Sequence, residues 1–277
     1  MTISSDYLRI VNEISKKVQI PSIKEIIAPR VDEPAKKSNF AAILLEDDTI
    51  GVFYIALSQE VKKLIEKIDS KVYKGQSPID LAKNFSSKDL FEKSLSMGGI
   101  NSISQYIFKK TDYHFDYTSD SLGLLNINDN DVIGMVGFFP PLVSLIERKE
   151  NKLIIIEKKE ALIKKEKNWV VTLDPVKLEG CNKVLITSTT VLNETIDDIL
   201  KFCSNAEKIS IIGPTAGFLP DPLFKRGINV VGGTQIYDTE KFLFNIRNNI
   251  RWGSAVKKYT IEREKYVGYA ELLKKIH

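Results

Sequence analysis

From Asp131 onward the chain carries short apolar runs that do not alternate with polar residues, and this pattern constrains the fold more than any other feature. The runs are Val132-Ile133-Gly134-Met135-Val136, Leu153-Ile154-Ile155-Ile156, Val184-Leu185-Ile186, Ile209-Ser210-Ile211-Ile212 and Ile228-Asn229-Val230-Val231, and each leads into a glycine, an acid or a hydroxyl-rich turn. A strand with one wet face alternates, whereas a run that is apolar at successive positions is covered on both faces. Helical segments between the runs make the repeat strand–helix–strand, the pattern of a parallel sheet with helices on both sides. The reading is a doubly wound α/β domain from about Asp131 to Arg263. Val256 to Ile261 adds a final strand and residues 264–276 a terminal helix.

The preceding region reads differently. Tyr7, Ile10, Val11, Ile14 and Val18 recur at helical spacing, with Ser4 or Ser5 as the cap. Ser22 to Arg30 reads as an extended segment. Phe40–Leu45 and Ile50–Ile55 are β-prone runs joined by a polar turn, a hairpin. Val61, Leu64, Ile65 and Ile68 mark a second helix, and Ser77-Pro78 opens a short third one. Ser87 is the expected cap of a long helix that contains Gly98-Gly99 and so implies close packing or close ligand approach there. The chain therefore divides into a smaller α+β domain, residues 1–115, and the α/β domain, residues 116–277, with the polar stretch 111–130 connecting them.

Composition excludes several classes. Hydrophobic residues are 43% and charged residues 27%, a globular balance. No run of about 18 apolar residues exists, so no transmembrane helix is expected, and the N-terminus lacks the pattern of a secretion signal; cytoplasmic residence follows. A net charge of +4 spread over mixed-sign runs gives no basic stripe, so neither nucleic acid nor membrane is an expected partner. The two cysteines, Cys181 and Cys203, and the two histidines, His114 and His277, form no zinc-spaced motif.

Open parallel sheets bind ligands beyond the carboxyl ends of their strands, and here those ends carry chemistry. Gly134 and Gly137 allow a sharp turn before Phe138-Phe139-Pro140-Pro141, where a helix N-terminus would favour an anion. Glu157 closes the next strand, where a dinucleotide site places its ribose-binding acid. Thr187, Ser188, Thr189 and Thr190 line up four hydroxyls, followed by Asn193. Gly213, Pro214 and Thr215 form a third loop and Gly232-Gly233-Thr234 a fourth. Glu157 and Asp174 are the carboxylates nearest this edge. No nucleophile elbow, Walker lysine or central histidine is present, so no general base stands out.

The segments Ile133 to Val143, Val184 to Thr195, Gly213-Pro214-Thr215, Pro220 to Gly227 and Gly232-Gly233-Thr234, with a weaker match at Phe91 to Ser102, resemble a two-domain family labelled "putative heavy-metal chelation". The resemblance spans nearly the whole chain. It implies an enolase-N-terminal-like domain followed by a Rossmann-like domain, a cleft where the two meet, a homodimer, and a role in handling metal or metal complexes. Asn101, at the end of the matching helix segment, would reach into that cleft. With no Cys/His cluster, any metal must be held by hard oxygen ligands or arrive inside a metallophore. The expected function is binding of a small polar metabolite or metal complex. The alternative is a transferase-like enzyme using S-adenosylmethionine or a nucleotide at Gly134–Gly137 and Glu157.

Overall fold

Two sheets organise the chain. The computed structural model describes residues 2–29, 38–117, 122 and 124–276. Arg30, at the end of the first extended segment, and Thr118–Ser121 and Gly123, in the connecting stretch, lie outside the described residues. The N-terminal region runs α1 (Ile3–Ser15), β1 (Ile23–Ile27), β2 (Phe40–Leu45), β3 (Ile50–Tyr54), α2 (Gln59–Glu66), α3 (Pro78–Ala82) and α4 (Leu90–Lys110). The rest runs β4 (Val132–Val136), α5 (Pro140–Glu147), β5 (Lys152–Ile156), β6 (Lys164–Lys165), β7 (Trp169–Thr172), β8 (Lys183–Thr187), α6 (Thr189–Leu192), α7 (Ile196–Leu200), β9 (Lys208–Ile212), α8 (Asp221–Phe224), β10 (Val230–Ile236), α9 (Thr239–Arg247), β11 (Val256–Glu262) and α10 (Tyr269–Lys274).

The first sheet is antiparallel, in the order β1-β2-β3. The second has eight strands in the order β11-β10-β9-β8-β4-β5-β7-β6. Its six inner strands are parallel and its two edge strands antiparallel. From β4 the chain steps outward to β5 and β7; from β8 it steps the other way, to β9 and β10. The order therefore reverses between β4 and β8, which opens a crevice beyond their carboxyl ends. The unalternating runs have a direct cause. Ile133, Met135, Leu153 and Ile155 point into one core beneath α5, while Val136, Ile154, Ile156, Val184 and Ile186 point into the larger core on the opposite face.

Helix α4 is buried around its whole circumference from Lys93 to Ser104. Gly51 and Gly98 allow that. A Cβ on Gly51 would fall 2.3 Å from Ser102 N and 2.6 Å from Gly98 O, so β3 and α4 meet backbone to backbone. The first sheet is covered on both faces: Ala41, Ile43 and Phe53 pack toward α4, while Ala42, Leu44, Ile50 and Val52 pack against Phe242 and Ile246 of α9.

Some local expectations are corrected. Thr2, not Ser4 or Ser5, caps α1 by accepting from Ser5 N at 3.3 Å. Asp89, not Ser87, caps α4, accepting from Phe91 N at 2.7 Å, because its carboxylate sits one residue before the first turn; Ser87 Oγ instead donates to Glu92. Gly232-Gly233-Thr234 is not a strand-end loop but the middle of β10, paired with β11; Gly233 is needed there because Tyr259 and Ala216 O crowd it. Strands β6 and β7 were not expected.

A buried ionic cluster ties α1 to the second half of the chain. The Arg226 guanidinium donates to Asp6 Oδ2 at 2.7 Å and to Asp197 Oδ1 at 2.5 Å, and Asp197 Oδ2 accepts from Ile3 N. Asp6 is only 2% exposed. Removing one member of such a pair leaves a buried uncompensated charge, which costs about 3–5 kcal/mol. Arg226→Ala is therefore expected to lower the unfolding free energy by about that amount in urea titrations, with Arg226→Lys recovering part of it because the ammonium cannot span both carboxylates.

Candidate functional site

The crevice at the switch point is a cavity of about 500 Å³. Its floor is the turn after β4 (Gly137, Phe138, Phe139). One wall is the hydroxyl segment after β8 (Thr187 to Thr190, then Asn193 and Thr195), and beside it lies the loop after β9 (Gly213, Pro214, Thr215). Glu157, Lys158 and Lys159 follow β5 at the rim, and Phe40 and Tyr54 reach in from the first sheet. The sequence reading named Gly137, Phe138, Glu157, Thr187, Ser188, Thr189, Thr190, Asn193, Gly213, Pro214 and Thr215, and all of these line the one cavity. Gly134 does not. It sits within β4, where a Cβ would meet Leu178 at 2.7 Å and Cys181 Sγ at 3.2 Å, so its small size serves packing beneath the sheet. Asp174 does not either; it accepts from Val176 N to cap a short turn.

Two glycines are demanded by the site's own geometry. Gly137 adopts φ +92°, and a Cβ there would also press on Thr187 Cγ2 at 3.1 Å. At Gly213 a Cβ would lie 2.1 Å from Ser188 Oγ, closer than any packing allows. The β9 loop can thus lie against the hydroxyl segment, and Ser188 Oγ and Thr215 Oγ1 come within 2.9 Å of each other.

Asn101 crosses from the N-terminal region, as expected, but it does not line the cavity. It is fully buried on α4 and donates from Nδ2 to Val52 O at 2.6 Å and Thr215 O at 3.0 Å. One side chain thereby fixes β3 and the loop after β9 relative to each other. Gln105 Nε2 repeats the device one turn on, donating to Gly217 O at 2.8 Å.

The β4–α5 turn does not act as an anion cradle. Pro140 and Pro141 have no N–H, and the amides of Leu142 and Val143 both go to Phe139 O. Phe138 N donates to Glu157 Oε2 at 3.1 Å and Lys158 N to Glu157 Oε1 at 2.8 Å. Glu157 therefore staples two backbone turns together. Burial, and after it the Glu157 carboxylate, push the Tyr54 phenol above its ordinary pKa, which shows how near the first sheet comes to this acid.

The hydroxyl segment is hydrogen-bonded within itself. Thr187 Oγ1 and Thr189 Oγ1 share one hydrogen bond at 2.6 Å, and Ser188 and Thr215 share another. Each hydroxyl pair uses one of its two protons and leaves one proton and spare lone pairs for other partners. Thr190 Oγ1 donates back to Thr187 O. Asn193 Oδ1 accepts from both N and Oγ1 of Thr195, which fixes the amide orientation and leaves its NH₂ turned to other partners.

Sequence reasoning missed Phe40, Tyr54, Lys158 and Lys159. The two lysines had a local signal, since they follow Glu157 at a strand end. Phe40 and Tyr54 had none, because they belong to another sheet.

The side chains do not fit a heavy-metal ion held by the protein itself. Among the described residues no three His, Cys, Asp or Glu side chains are grouped to hold one. Cys181 and Cys203 are both buried, and burial pushes their thiols up to about 11 and about 12, so they are protonated at neutral pH rather than ligating thiolates. His114 lies in a second cavity of about 500 Å³, near the tip of the β2–β3 hairpin, with Nδ1 2.7 Å from Asp112 O. Two of the charged groups there are engaged, Lys109 with Asp47 and Asp48 with Lys24.

Three outcomes are expected. Gly213→Ala should destabilise the fold by about 2 kcal/mol or more, since the added methyl must displace Ser188 or the β9 loop; thermal melting checks this. The thiols should resist alkylation in the native state at pH 8. Because their folded pKa values are raised, the stability they contribute is present below pH 9 and lost between pH 9 and about 12. A Cys181→Ala/Cys203→Ala variant should then lose less stability than the parent between pH 8 and pH 10.5 in urea titrations.

With fold and cavity described, the relatives can be placed. Residues 120–265 match the model of the DUF364 family, described as "Putative heavy-metal chelation". An uncharacterized protein of Methanocaldococcus jannaschii is 30% identical over 192 residues, covering 67% of this chain and 71% of that protein. A DUF364 protein of unknown function from Pyrococcus horikoshii superposes with a TM-score of 0.66 at 19% identity, covering 94% of this chain and 99% of its own. One from Desulfitobacterium hafniense gives 0.66 at 18% identity, with 93% and 98% covered. These likenesses carry the fold, and no helix of the described residues is long and apolar enough to cross a membrane. By the extent of the family match and the identity to its archaeal relative, the chain belongs to the DUF364 family.

Proposed function

We propose that the protein binds a small polar molecule, free or as a metal complex, in the cavity at the β4–β8 switch point. One observation carries this reading: the hydroxyls of Thr187 to Thr190, the amide of Asn193 and the Gly213–Thr215 loop converge on a single space of about 500 Å³, within the size range of ligand pockets. Gly137 and Gly213 serve this space by letting the turn after β4 and the loop after β9 lie against the hydroxyl segment.

The family description fits this reading if the metal arrives already chelated. The chain offers no cluster of soft or charged donors among its described residues, so the organic part of a complex would be what the cavity holds. A transferase using S-adenosylmethionine or a nucleotide finds less support. Both Glu157 oxygens already accept backbone amides, and the prolines of the β4–α5 turn remove the donors a phosphate would use.

Native mass spectrometry of gently purified protein, before and after adding metals and S-adenosylmethionine, tests the proposal; an organic adduct, with or without metal, is expected. Thr189→Ala and Asn193→Ala should each weaken its retention by about 1–3 kcal/mol, the cost of a lost partner in a desolvated site. Unchanged retention in both variants would sink the assignment.

A further inference from the structure

We infer that the cavity selects an oxygen-rich aromatic anion, of the class of heteroaromatic carboxylates and their metal chelates. This deepens the reading of the cavity as a binding site and rests on it. Two independent features of the walls carry it.

The first is the positive charge of the rim together with the amide donors of Asn193. The Thr187–Thr189 and Ser188–Thr215 pairs each retain one hydroxyl proton together with spare lone pairs, and Asn193 has engaged its side-chain oxygen with Thr195 while keeping both amide protons. Glu157, the one carboxylate in the lining, has each oxygen occupied by a backbone amide. Lys158 and Lys159 are exposed at the rim. They form no ion pair with any described residue within 4.0 Å. The charged lining is thus two lysines against one glutamate, a net of +1. A net positive lining with both Asn193 amide protons free favours an anionic, acceptor-rich ligand over a cationic one, while the hydroxyls can serve either role.

The second is the aromatic wall. Phe40 and Tyr54 stand edge to face at 5.8 Å, and Phe40 is held from behind by Trp252 at 5.7 Å. On the other side Phe138 leans on Trp169 at 6.2 Å. Rings held by other rings make rigid flat surfaces, and these favour a flat partner by offset or edge-to-face packing. A ligand with a planar ring against these faces and carboxylates toward the donors meets both walls. Such a molecule also carries the oxygen and nitrogen donors that the protein lacks, so a metal would come in with its own chelator.

Isothermal titration calorimetry of the full chain tests this with pyridine-2,6-dicarboxylate, which is planar and dianionic. The controls are pyridine-2,6-dicarboxamide, planar and neutral, glutarate, dianionic and flexible, and copper(II) alone. The dicarboxylate should bind at least about tenfold more tightly than any control. Lys158→Gln/Lys159→Gln should weaken it by about three- to tenfold and flatten its salt dependence. Asn193→Asp, which replaces the amide donors by acceptors, should weaken it by about tenfold or more. Lys165→Gln, on the far edge strand, should leave it unchanged.

Glutarate binding as tightly would overturn the aromatic part, and the dicarboxamide binding as tightly would overturn the anionic part. Stoichiometric copper(II) binding of comparable strength would overturn the claim that metal arrives chelated. No binding by the dicarboxylate would overturn the ligand class, yet the cavity reading would stand if the adduct seen in native mass spectra is lost in Thr189→Ala. Dicarboxylate binding that is indifferent to Thr189→Ala, Asn193→Asp and the lysine pair would instead sink the cavity assignment itself.

Discussion

The contact on which the structure depends is the meeting of β3 and α4 at Gly51 and Gly98, where no side chain intervenes. A buried helix has no polar face to give to water, so α4 meets its neighbours mainly with small residues. Its sequence reflects this: Ser94, Ser96, Gly98, Gly99, Asn101, Ser102 and Ser104 are all buried. Because the helix sits so close to β3, Asn101 can reach Val52 O and Thr215 O at once. The position of the cavity's third loop is therefore set from the N-terminal half of the chain.

The large sheet supplies the rest by topology. Strand order reverses between β4 and β8, so their carboxyl ends are left uncovered by their own connections. The residues that fill this gap come from four strand ends and from the first sheet. Their chemistry is divided: hydroxyls and an amide after β8, flat rings from β2, β3 and the β4 turn, and lysines after β5. That division results from strand order rather than from any single motif, which explains why no known signature appears in the sequence.

The parallel sheet was legible because both of its faces are buried, which erases alternation in β4, β5, β8, β9 and β10. Most of the candidate cavity was legible for a related reason: strand ends in such sheets converge, so local glycine and hydroxyl clusters at those ends could be assigned to one place. What was not legible depended on distance in sequence. Strand β7 is four residues long between Lys167-Asn168 and Leu173-Asp174, too short and too polar in its surroundings to read as β until β5 offers its edge. Gly232-Gly233 looked like a turn because the ring of Tyr259, which requires the glycine, lies on another strand. Gly134 looked like a ligand contact for the same reason; the Leu178 side chain that needs its space lies 44 positions further along. Asn101 was expected to reach into the cleft, and its partners Val52 O and Thr215 O show that it fixes a loop instead.

The outer face of the first sheet is closed by α9, a helix some 200 positions later in the chain than β2. During synthesis β1, β2 and β3 emerge from the ribosome early, with Ala42, Leu44, Ile50 and Val52 facing nothing until residues 239–247 follow. That sheet cannot reach its final burial as a separate early unit. Its apolar face must stay protected, by a chaperone or by transient collapse, for most of translation. The cover of the first sheet is made only after seven of the eight strands of the second, β4 to β10.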